Sequence, residues 1–383
     1  MAHGTDGNLI TFDANGAPAY VATGNDGQVL TSTGAGSPPA FETISTTDTK
    51  SFRNLVINGA MQVAQRGTSS TSNGYHTVDR FQVNNGGDDE APTQAQVALA
   101  INNAATDAGF RYALKVTNGN QTSGAGATDY QRIRYKFESQ DLAWSGWNYK
   151  SASSYITMSF WCKSSVSQNF YVQLKTSDAD YNYVFETGSL SANTWTKVTH
   201  SIPGNANLVF DNDTGEGMYI AWHLFRGTDN TGSMSLNTWA AENASLLTPD
   251  QTSTWWTTND ATFELTGVQI EVGSTATDFE HRPYSYELRR CRRYYEKADH
   301  KFVGFGNAPG NNEWLYKNFK WDEPKRTTPT VTIPEGGTVT GSTNSYTIHH
   351  NSSVEGFHIQ LQCTGNNNDI YTSNSIFVGE CEL

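Results

Sequence analysis

The pattern that most constrains the fold is the alternation of apolar and polar side chains in residues 156–162 (ITMSFWC). In an extended chain one face would carry Ile156, Met158, Phe160 and Cys162, and a period of two is typical of a half-buried β-strand. Similar short runs recur along the chain, separated by turn-forming Asn, Asp, Gly and Ser. The predicted strands of this region are 110–115, 155–162, 170–175, 194–200, 217–223 and 261–272. Strands at this spacing indicate a two-sheet sandwich or jelly roll.

The composition supports a mainly β protein and argues against several kinds of partner. Charged residues make up only 16% of the chain, aromatic residues make up 12%, and there are 34 glycines. Aromatic residues and Thr favour strands and Gly favours turns, whereas a disordered chain would be poor in aromatics. The net charge of −13 repels phosphate, so we expect no nucleic-acid partner. We expect no membrane insertion and see no secretory signal, because no long apolar run is present.

The first fifty residues contain an internal repeat. Residues 6–11 (DGNLIT) recur at 26–31 (DGQVLT), and residues 16–20 (GAPAY) recur at 36–41 (GSPPAF) with one residue inserted. One such unit has too few apolar residues to bury a core by itself. We therefore predict that residues 1–50 bury their apolar side chains against other copies of the chain, as a homotrimer. The alternative is a flexible Gly/Ser/Thr linker.

A helix is predicted after Pro283. Leu288, Cys291 and Tyr295 recur at the spacing of an amphipathic helix, and proline suits a first helical turn. Residues 90–108 could also include a short helix. Beyond residue 300 the predicted strands are 328–333, 345–349, 356–362 and 375–378.

These patterns predict three domains in a mainly β chain. The first is the repeated β segment at 1–50, and the second is a jelly-roll β-sandwich at 51–283. The third, at 284–383, is the one amphipathic helix followed by a C-terminal β-rich domain.

Several segments resemble phage tail-fibre and other virion appendage proteins that contain a carbohydrate-binding-module-like jelly roll. Residues 54–62 (NLVINGAMQ) resemble the opening strand of such jelly rolls, and 263–273 (FELTGVQIEVG) look like the closing strand. Residues 277–284 (TDFEHRPY) and 290–296 (RCRRYYE) complete the match. Residues 27–41 are similar to segments near the start of phage fibres.

The resemblance implies a bacteriophage virion structural protein, a trimeric tail fibre or appendage subunit on the virion surface, made in the host cytoplasm. Residues 1–50 would attach it to other virion proteins, and the jelly roll would contact host-surface glycans without catalysis. One alternative is a head fibre, capsid decoration or adaptor protein without sugar binding. A polysaccharide depolymerase is a further alternative, but neither long β-helical repeats nor a catalytic motif is visible in the sequence.

No metal or other cofactor is expected. Jelly rolls of the resembled type often hold calcium through acidic residues in their first and last strands. Here Gln62 lies where Glu is frequent, and Gly267 precedes Val268 where Asp is common. Calcium prefers carboxylate and carbonyl oxygens, so these departures argue against it.

Tryptophans in turn-rich segments are the candidate glycan-binding residues, because a flat ring can stack on the apolar face of a sugar. The alternative is that they pack a loop or a trimer interface. Trp222 lies in an apolar strand and is expected in the core. The candidates are Trp144, Trp147, Trp239, Trp255 and Trp256.

A run of basic residues accompanies the predicted helix in this acidic chain. It is either a receptor or phosphate site, or a helix face paired with carboxylates of a neighbouring subunit. The run consists of Arg282, Arg289, Arg290, Arg292, Arg293 and Lys297.

Overall fold

The computed structural model divides into two compact units, Met1–Ser51 and Phe52–Leu383. The residues that the structure describes are 7–34, 36–43, 52–250, 252–300, 303–305, 313–335, 339–340, 349–363, 369–372 and 375–383.

The first unit contains two β-hairpins, one from each copy of the sequence repeat. Strand β1 (Leu9–Phe12) pairs antiparallel with β2 (Pro18–Val21), and β3 (Gln28–Thr31) pairs with β4 (Ala40–Thr43). Within this unit, large apolar side chains of the described residues stay exposed on the hairpins. They are Leu9, Ile10, Phe12, Tyr20, Val29 and Leu30.

The second unit is built on two six-stranded antiparallel sheets. Their apolar faces share one core, so the sheets pack as a sandwich. In chain order the strands are β5 (Ser69–Ser70), β6 (Phe81–Gly86), β7 (Thr93–Ala98), β8 (Tyr112–Thr117), β9 (Tyr130–Glu138), β10 (Tyr155–Ser164), β11 (Tyr171–Thr176), β12 (Tyr181–Glu186), β13 (Thr196–Pro203), β14 (Glu216–Arg226), β15 (Trp239–Ala241) and β16 (Thr262–Val272).

The strand order is that of a jelly roll. The first sheet runs β13-β10-β16-β8-β7-β5 and the second runs β15-β12-β11-β14-β9-β6. Eight of these strands pair from the outside inward: β8 with β16, β9 with β14, β10 with β13, and β11 with β12. Such nested pairing across two sheets defines the jelly roll. The predicted jelly-roll sandwich and the mainly β class are therefore confirmed.

The alternation in β10 has the predicted consequence. Ile156, Met158, Phe160 and Cys162 are all fully buried in the core between the sheets. The ring of Phe160 meets that of Trp222 edge-on, with centroids 5.7 Å apart, an arrangement favoured by the aromatic quadrupole. Trp222 is thus a core residue, as the sequence predicted.

Short helices connect the strands. Asn103 caps the N-terminus of α1 (Ala104–Asp107), since its side chain accepts bonds from the backbone of Ala105 and Thr106. This helix lies within the segment 90–108, where a short helix was considered. The other helices among the described residues are α2 (Ser139–Ala143), α3 (Thr254–Thr257), α4 (Tyr284–Arg292) and the 3₁₀ turn Thr228–Asn230.

Helix α4 begins directly after Pro283, as predicted, but it is shorter than the apolar stripe suggested. It ends at Arg292, and Tyr295 instead opens a strand. Cys291 is buried against Ile57, Val63 and Tyr294, with Leu288 partly buried beside them. Packing against the jelly roll, rather than a continuous helical stripe, therefore determines where the helix ends.

The remainder of the unit, as far as the structure describes it, contains the strands β17 (Tyr295–His300), β18 (Val303–Phe305), β19 (Glu313–Lys320), β20 (Thr330–Glu335), β21 (Val339–Thr340), β22 (His349–Ser352), β23 (Gly356–Cys363), β24 (Asp369–Thr372) and β25 (Ser375–Glu380). They form three three-stranded sheets, ordered β17-β25-β20, β18-β24-β21 and β19-β23-β22. A small aromatic core includes Phe319, Trp321, Phe357 and Phe377. The strand predicted at 375–378 lies in β25, in the middle of its sheet.

Buried ion pairs join the start of the jelly roll to Glu382, which follows strand β25. Arg80 pairs with Glu382, and Arg66 Nη2 lies 3.1 Å from Glu382 Oε1. All three side chains are at most 7% exposed. The Arg80 guanidinium also lies 3.4 Å above the ring centroid of Tyr294.

Most of the basic run is paired within the same chain. Arg282 contacts Glu280 and Glu287 at 2.9 and 3.1 Å, and Arg293 holds Glu138 through two bonds of 2.7 Å. Arg289 pairs with Glu323, and Arg292 pairs with Asp322. The alternative that carboxylates of a neighbouring subunit pair with this run is thus not needed for these four arginines.

Candidate functional site

The outward side of the second sheet carries an unusual set of polar and basic side chains. On β9, Ile133, Tyr135 and Phe137 face the core, so the alternating Arg132, Arg134 and Lys136 face outward. We call this side the polar face. It comprises Gln82, Asn84, Tyr130, Arg132, Arg134, Lys136, Tyr171, Gln173, Lys175, Asn182, Tyr219, His223 and Arg226.

The strand register sets which of these side chains are neighbours. His223 lies between Arg132 on one side and Tyr171 on the other. Tyr219 lies between Lys136 and Lys175 in another row of the sheet. Side chains directly opposite on adjacent strands are close enough to interact, so the face is a continuous polar surface.

A hydrogen-bonded chain crosses the face. Arg226 Nε donates to His223 Nδ1 at 3.1 Å, and His223 Nε2 lies 3.1 Å from Gln173 Oε1. Since Nδ1 accepts a hydrogen bond, the ring proton belongs on Nε2, which donates to the Gln173 oxygen. Burial, together with the charges of Arg226 and Arg132, lowers the pKa of His223 well below its usual value. His223 is therefore neutral near pH 7.

Several buried polar atoms of the face have no hydrogen-bond partner among the described residues. An unsatisfied buried donor or acceptor costs about 1–3 kcal/mol, so native proteins rarely cluster them without a function. The set mixes donors with acceptors, which suits hydroxyl groups because each hydroxyl can both donate and accept. The atoms are Asn84 Oδ1, Arg132 Nε, Arg134 Nε, Gln173 Nε2, Asn182 Oδ1 and Arg226 Nη2.

Tyrosine rings support the guanidinium groups. The guanidinium carbons of Arg226 and Arg132 lie 4.8 and 5.6 Å from the ring centroid of Tyr130. That of Arg134 lies 5.3 Å from the ring centroid of Tyr219. Cation–π contacts of this kind orient an arginine without neutralising its charge.

Trp255 and Trp256 are buried rather than presented to solvent. Both belong to α3 and both are 0% exposed. The indole nitrogens donate to main-chain oxygens, Trp255 to Thr262 at 3.1 Å and Trp256 to Gly124 at 2.8 Å. The Trp256 ring also stacks on Phe225, with centroids 4.9 Å apart. A sugar has no ring face to stack on at these two positions.

Trp147 and Trp239 are also part of the sandwich core. Their indole nitrogens donate to the backbone oxygens of Ser154 and Pro203, at 3.3 and 2.7 Å. Trp144, by contrast, is 74% exposed. Of the five predicted residues it alone offers an open ring face, and the structure does not bring the five together.

Trp144 lines a cleft of about 370 Å³ at the end of α2. Tyr286 and Arg290 of α4, Phe52 and Asp141 also line it. Burial, followed by the charge of Glu138, raises the pKa of Asp141. The cleft combines an aromatic ring with charged groups and is a second, smaller candidate site.

Two carboxylates that follow strand β11 have local structural partners. Asp178 accepts bonds from Ser139 Oγ at 2.6 Å and from the backbone of Asp211 at 3.0 Å. Asp180 pairs with Lys175 at 3.0 Å. In the part of the chain that the structure describes, no group of three or more His, Cys, Asp and Glu side chains could hold a metal ion. None of the described helices has the length and apolar character needed to span a bilayer.

The polar face was missed at the level of sequence. Its signal is the run at 130–137 (YQRIRYKF), where basic side chains alternate with apolar ones. One strand with this pattern indicates a basic outer surface, but it does not reveal which side chains the neighbouring strands add.

Comparison with known proteins gives weak structural likenesses only. No protein-family model and no curated protein matches the sequence. The enzymatically active domain of tailspike protein 4 from bacteriophage CBA120 aligns with 58% of this chain at 8% identity and a TM-score of 0.29. The chain spans only 22% of that tailspike domain.

Two smaller proteins align with similar parts of the chain. A family 11 carbohydrate-binding module from Clostridium thermocellum covers 56% of this chain and 98% of its own, at 11% identity and a TM-score of 0.26. A putative sugar binding protein from Bacteroides thetaiotaomicron covers 57% and 100%, at 12% identity and a TM-score of 0.30. At these scores the fold assignment rests on the strand order described above and not on the alignments.

Proposed function

We propose that this chain is a non-catalytic glycan-binding protein and that the polar face binds the glycan. The cluster of buried, unpaired hydrogen-bonding atoms on that face carries the proposal. Gln173 and Asn182 supply amide groups and three arginines supply N–H donors. Sugar hydroxyls could satisfy both kinds of group at once, which an apolar ligand could not do.

We further propose that the protein is a bacteriophage virion component, a tail fibre or similar appendage on the particle surface that attaches to host-surface glycans. The sequence resemblance in residues 54–62, 263–273 and 277–296 supports this role. A tail fibre would use the jelly roll for adhesion, and its first unit would contact other virion proteins.

The exposed apolar side chains of the first unit support self-association as a homotrimer. Ile10 is 72% exposed and Leu30 is 47% exposed, and each lies in a separate hairpin. Burial of such side chains against other copies would be favourable, by about 1.5–3 kcal/mol for each large aliphatic side chain. A closed threefold arrangement would give every copy the same contacts.

Sedimentation equilibrium of the full chain tests the assembly. The wild type should have three times the mass of one chain, and Ile10→Asp combined with Leu30→Asp should give monomers. Ile101→Asp is the control, because Ile101 is 80% exposed and lies in the other unit. A monomeric wild type would refute the trimer without affecting the glycan proposal.

A glycan array tests the binding function. The wild type should bind one or more bacterial surface glycans, and Asn182→Ala should weaken that binding about tenfold through loss of buried hydrogen bonds. Asn212→Ala, at an exposed position, should leave it unchanged. If Trp144→Ala abolishes binding and Asn182→Ala does not, the glycan lies in the Trp144 cleft. Release of reducing sugar ends from the bound polymer would show an enzyme instead.

A further inference from the structure

We infer that the polar face is selective for acidic glycans, whose uronic acid carboxylates or sulfate esters would bind between Arg132, Arg134 and Arg226. This inference names the ligand class of the proposed glycan site and rests on that proposal. Arg132 and Arg134 are alternate residues of one strand, and Arg226 ends the adjacent strand opposite Tyr130. The three arginines therefore lie in one part of the face, with the guanidinium groups of Arg132 and Arg226 near the ring of Tyr130 and that of Arg134 near the ring of Tyr219.

The charges of these arginines are not balanced by a direct ion pair within the described part of the chain. Other cations of the polar face are balanced: Lys136 lies 2.6 Å from Glu216, and Lys175 lies 3.0 and 3.1 Å from Asp180 and Glu242. In contrast, none of the ion pairs formed among the described residues includes Arg132, Arg134 or Arg226.

The hydrogen-bond partners of Arg134 and Arg226 are neutral. Arg134 Nη2 donates to Gln82 Oε1 at 2.8 Å, and Arg226 donates to His223 and, at 3.4 Å, to Asn230 Oδ1. The chain has 38 acidic residues against 25 basic ones, so a local excess of positive charge is notable. An unpaired cluster of this kind is a typical recognition site for an anion.

Each of the three arginines also retains an unsatisfied donor. Arg132 Nε, Arg134 Nε and Arg226 Nη2 are buried and have no acceptor among the residues that the structure describes. A neutral hydroxyl could accept one such bond but would leave the charge uncompensated. A carboxylate or sulfate oxygen accepts the bond and compensates the charge, and hydrogen bonds to ionised groups are about twice as strong.

The surroundings of Arg132 and Arg226 favour the binding of a negatively charged group. Burial is the main cause that lowers the pKa of both Arg132 and Arg226, followed by repulsion from Arg134 and Arg132 respectively. For Arg226 the pKa falls to about 10, so the group remains protonated at pH 7. An anion would relieve the repulsion between the arginines, whereas a neutral sugar would not.

The test compares matched acidic and neutral polymers. Bacterial surface polysaccharides are immobilised in native form, in carboxyl-reduced form and after removal of sulfate, and binding of the full chain is measured. We expect carboxyl reduction or desulfation to weaken binding about tenfold or more, and 0.5 M NaCl to weaken binding of the acidic form selectively. The treatment that removes binding identifies which of the two anions is recognised.

Substitutions of Arg132 and Arg226 test whether these residues confer the selectivity for acidic glycans. Arg132→Gln and Arg226→Gln should each weaken binding of the acidic polymer about tenfold and lower the preference for the acidic over the neutral form. Arg132→Lys keeps the charge and should retain part of the preference. Arg289→Gln is the matched control, since it removes one positive charge from an arginine that is 68% exposed on α4.

The outcomes separate the inference from the proposed function. Equal binding of acidic and neutral forms would overturn the acidic selectivity and leave glycan binding standing. An acidic preference that survives both Arg→Gln changes would also overturn it, because the selectivity would then lie elsewhere. Binding to no polymer in the panel would refute the proposed function together with the inference. The comparison of wild-type protein on paired polymers does not depend on any variant folding correctly.

Discussion

Replacing Glu138 with glutamine should destabilise the second unit substantially. The Glu138 side chain is 0% exposed and accepts two bonds of 2.7 Å from Arg293 and one of 2.5 Å from Tyr294. These contacts hold the residues that follow α4 against the end of β9. Glutamine keeps one acceptor oxygen but presents an NH₂ group to the guanidinium, so at least one charged donor loses its partner.

The expected loss follows from the burial of the two partners. Breaking a fully buried ion pair by removing one member costs about 3–5 kcal/mol. The Arg293 side chain is 32% exposed, so water can solvate part of its charge after the change. We therefore expect Glu138→Gln to lower the free energy of unfolding by about 2–4 kcal/mol.

Urea denaturation followed by tryptophan fluorescence measures this change. The control is Arg289→Gln, which breaks a surface pair with Glu323 and should give no measurable difference. A Glu138→Gln variant as stable as this control would refute the reasoning. Arg293→Gln combined with Glu138→Gln should cost less than the sum of the single changes, because the two residues act as one pair.

The stabilisation that the Glu138–Arg293 pair provides depends on pH. Burial raises the pKa of Glu138, but bonds from Arg293 and Tyr294 outweigh this, and the net pKa lies below the reference value of 4.5. The stabilisation is therefore complete above about pH 4.5 and is lost as the pH falls through the lower folded-state pKa. The difference between the wild type and Glu138→Gln should shrink in that acidic range.

Two further predictions concern His223 and the tryptophans. Because the folded state keeps His223 neutral, wild-type stability should fall by about 1.4 kcal/mol for each pH unit below about 6.5, and His223→Gln should lack this component in denaturation at a series of pH values. Trp256→Ala should cost about 3–5 kcal/mol in the same assay because it removes a buried ring, whereas exposed Trp144→Ala should change stability by less than about 0.5 kcal/mol.

Contrary results would be clear in both cases. Identical pH profiles for the wild type and His223→Gln would mean that folding does not lower the pKa of His223. Equal free energies of unfolding for Trp256→Ala and Trp144→Ala would mean that Trp256 is not packed in the interior.

Local sequence patterns predicted six of the twelve strands of the sandwich. The run at 156–162 lies within β10, and the six predicted strands of the sandwich each overlap an observed one. The pattern works because the two faces of such a strand meet different environments. Strand ends were less accurate: β8 begins at Tyr112 rather than at Phe110, which packs instead against Phe279 and His281 beside the sheet.

The polar face could not be assembled from sequence in the same way. Arg132 and His223 become neighbours only because β9 pairs with β14, and that pairing depends on the order of the whole jelly roll. Hydrogen bonds and unpaired donors on the face depend on those distant pairings. The sequence alone indicates a basic strand, but not a site.

The exposure of Trp255 and Trp256 was mispredicted for a related reason. The segment around Trp255 and Trp256 contains Thr, Ser, Asn and Asp and looks like a loop. It folds into the single turn of α3, which turns both indoles inward against β16 and the loop at Gly124. Polar residues around a tryptophan therefore did not indicate exposure.

The pairing of Arg66 and Arg80 with Glu382 has a consequence for biosynthesis. A ribosome makes the two arginines more than 300 residues before their carboxylate partner. While the nascent chain grows, both cations must remain hydrated or be held by transient partners, since burying them alone would be costly. The earliest part of the jelly roll can thus reach its final packing only after Glu382 has been translated, more than 300 residues later.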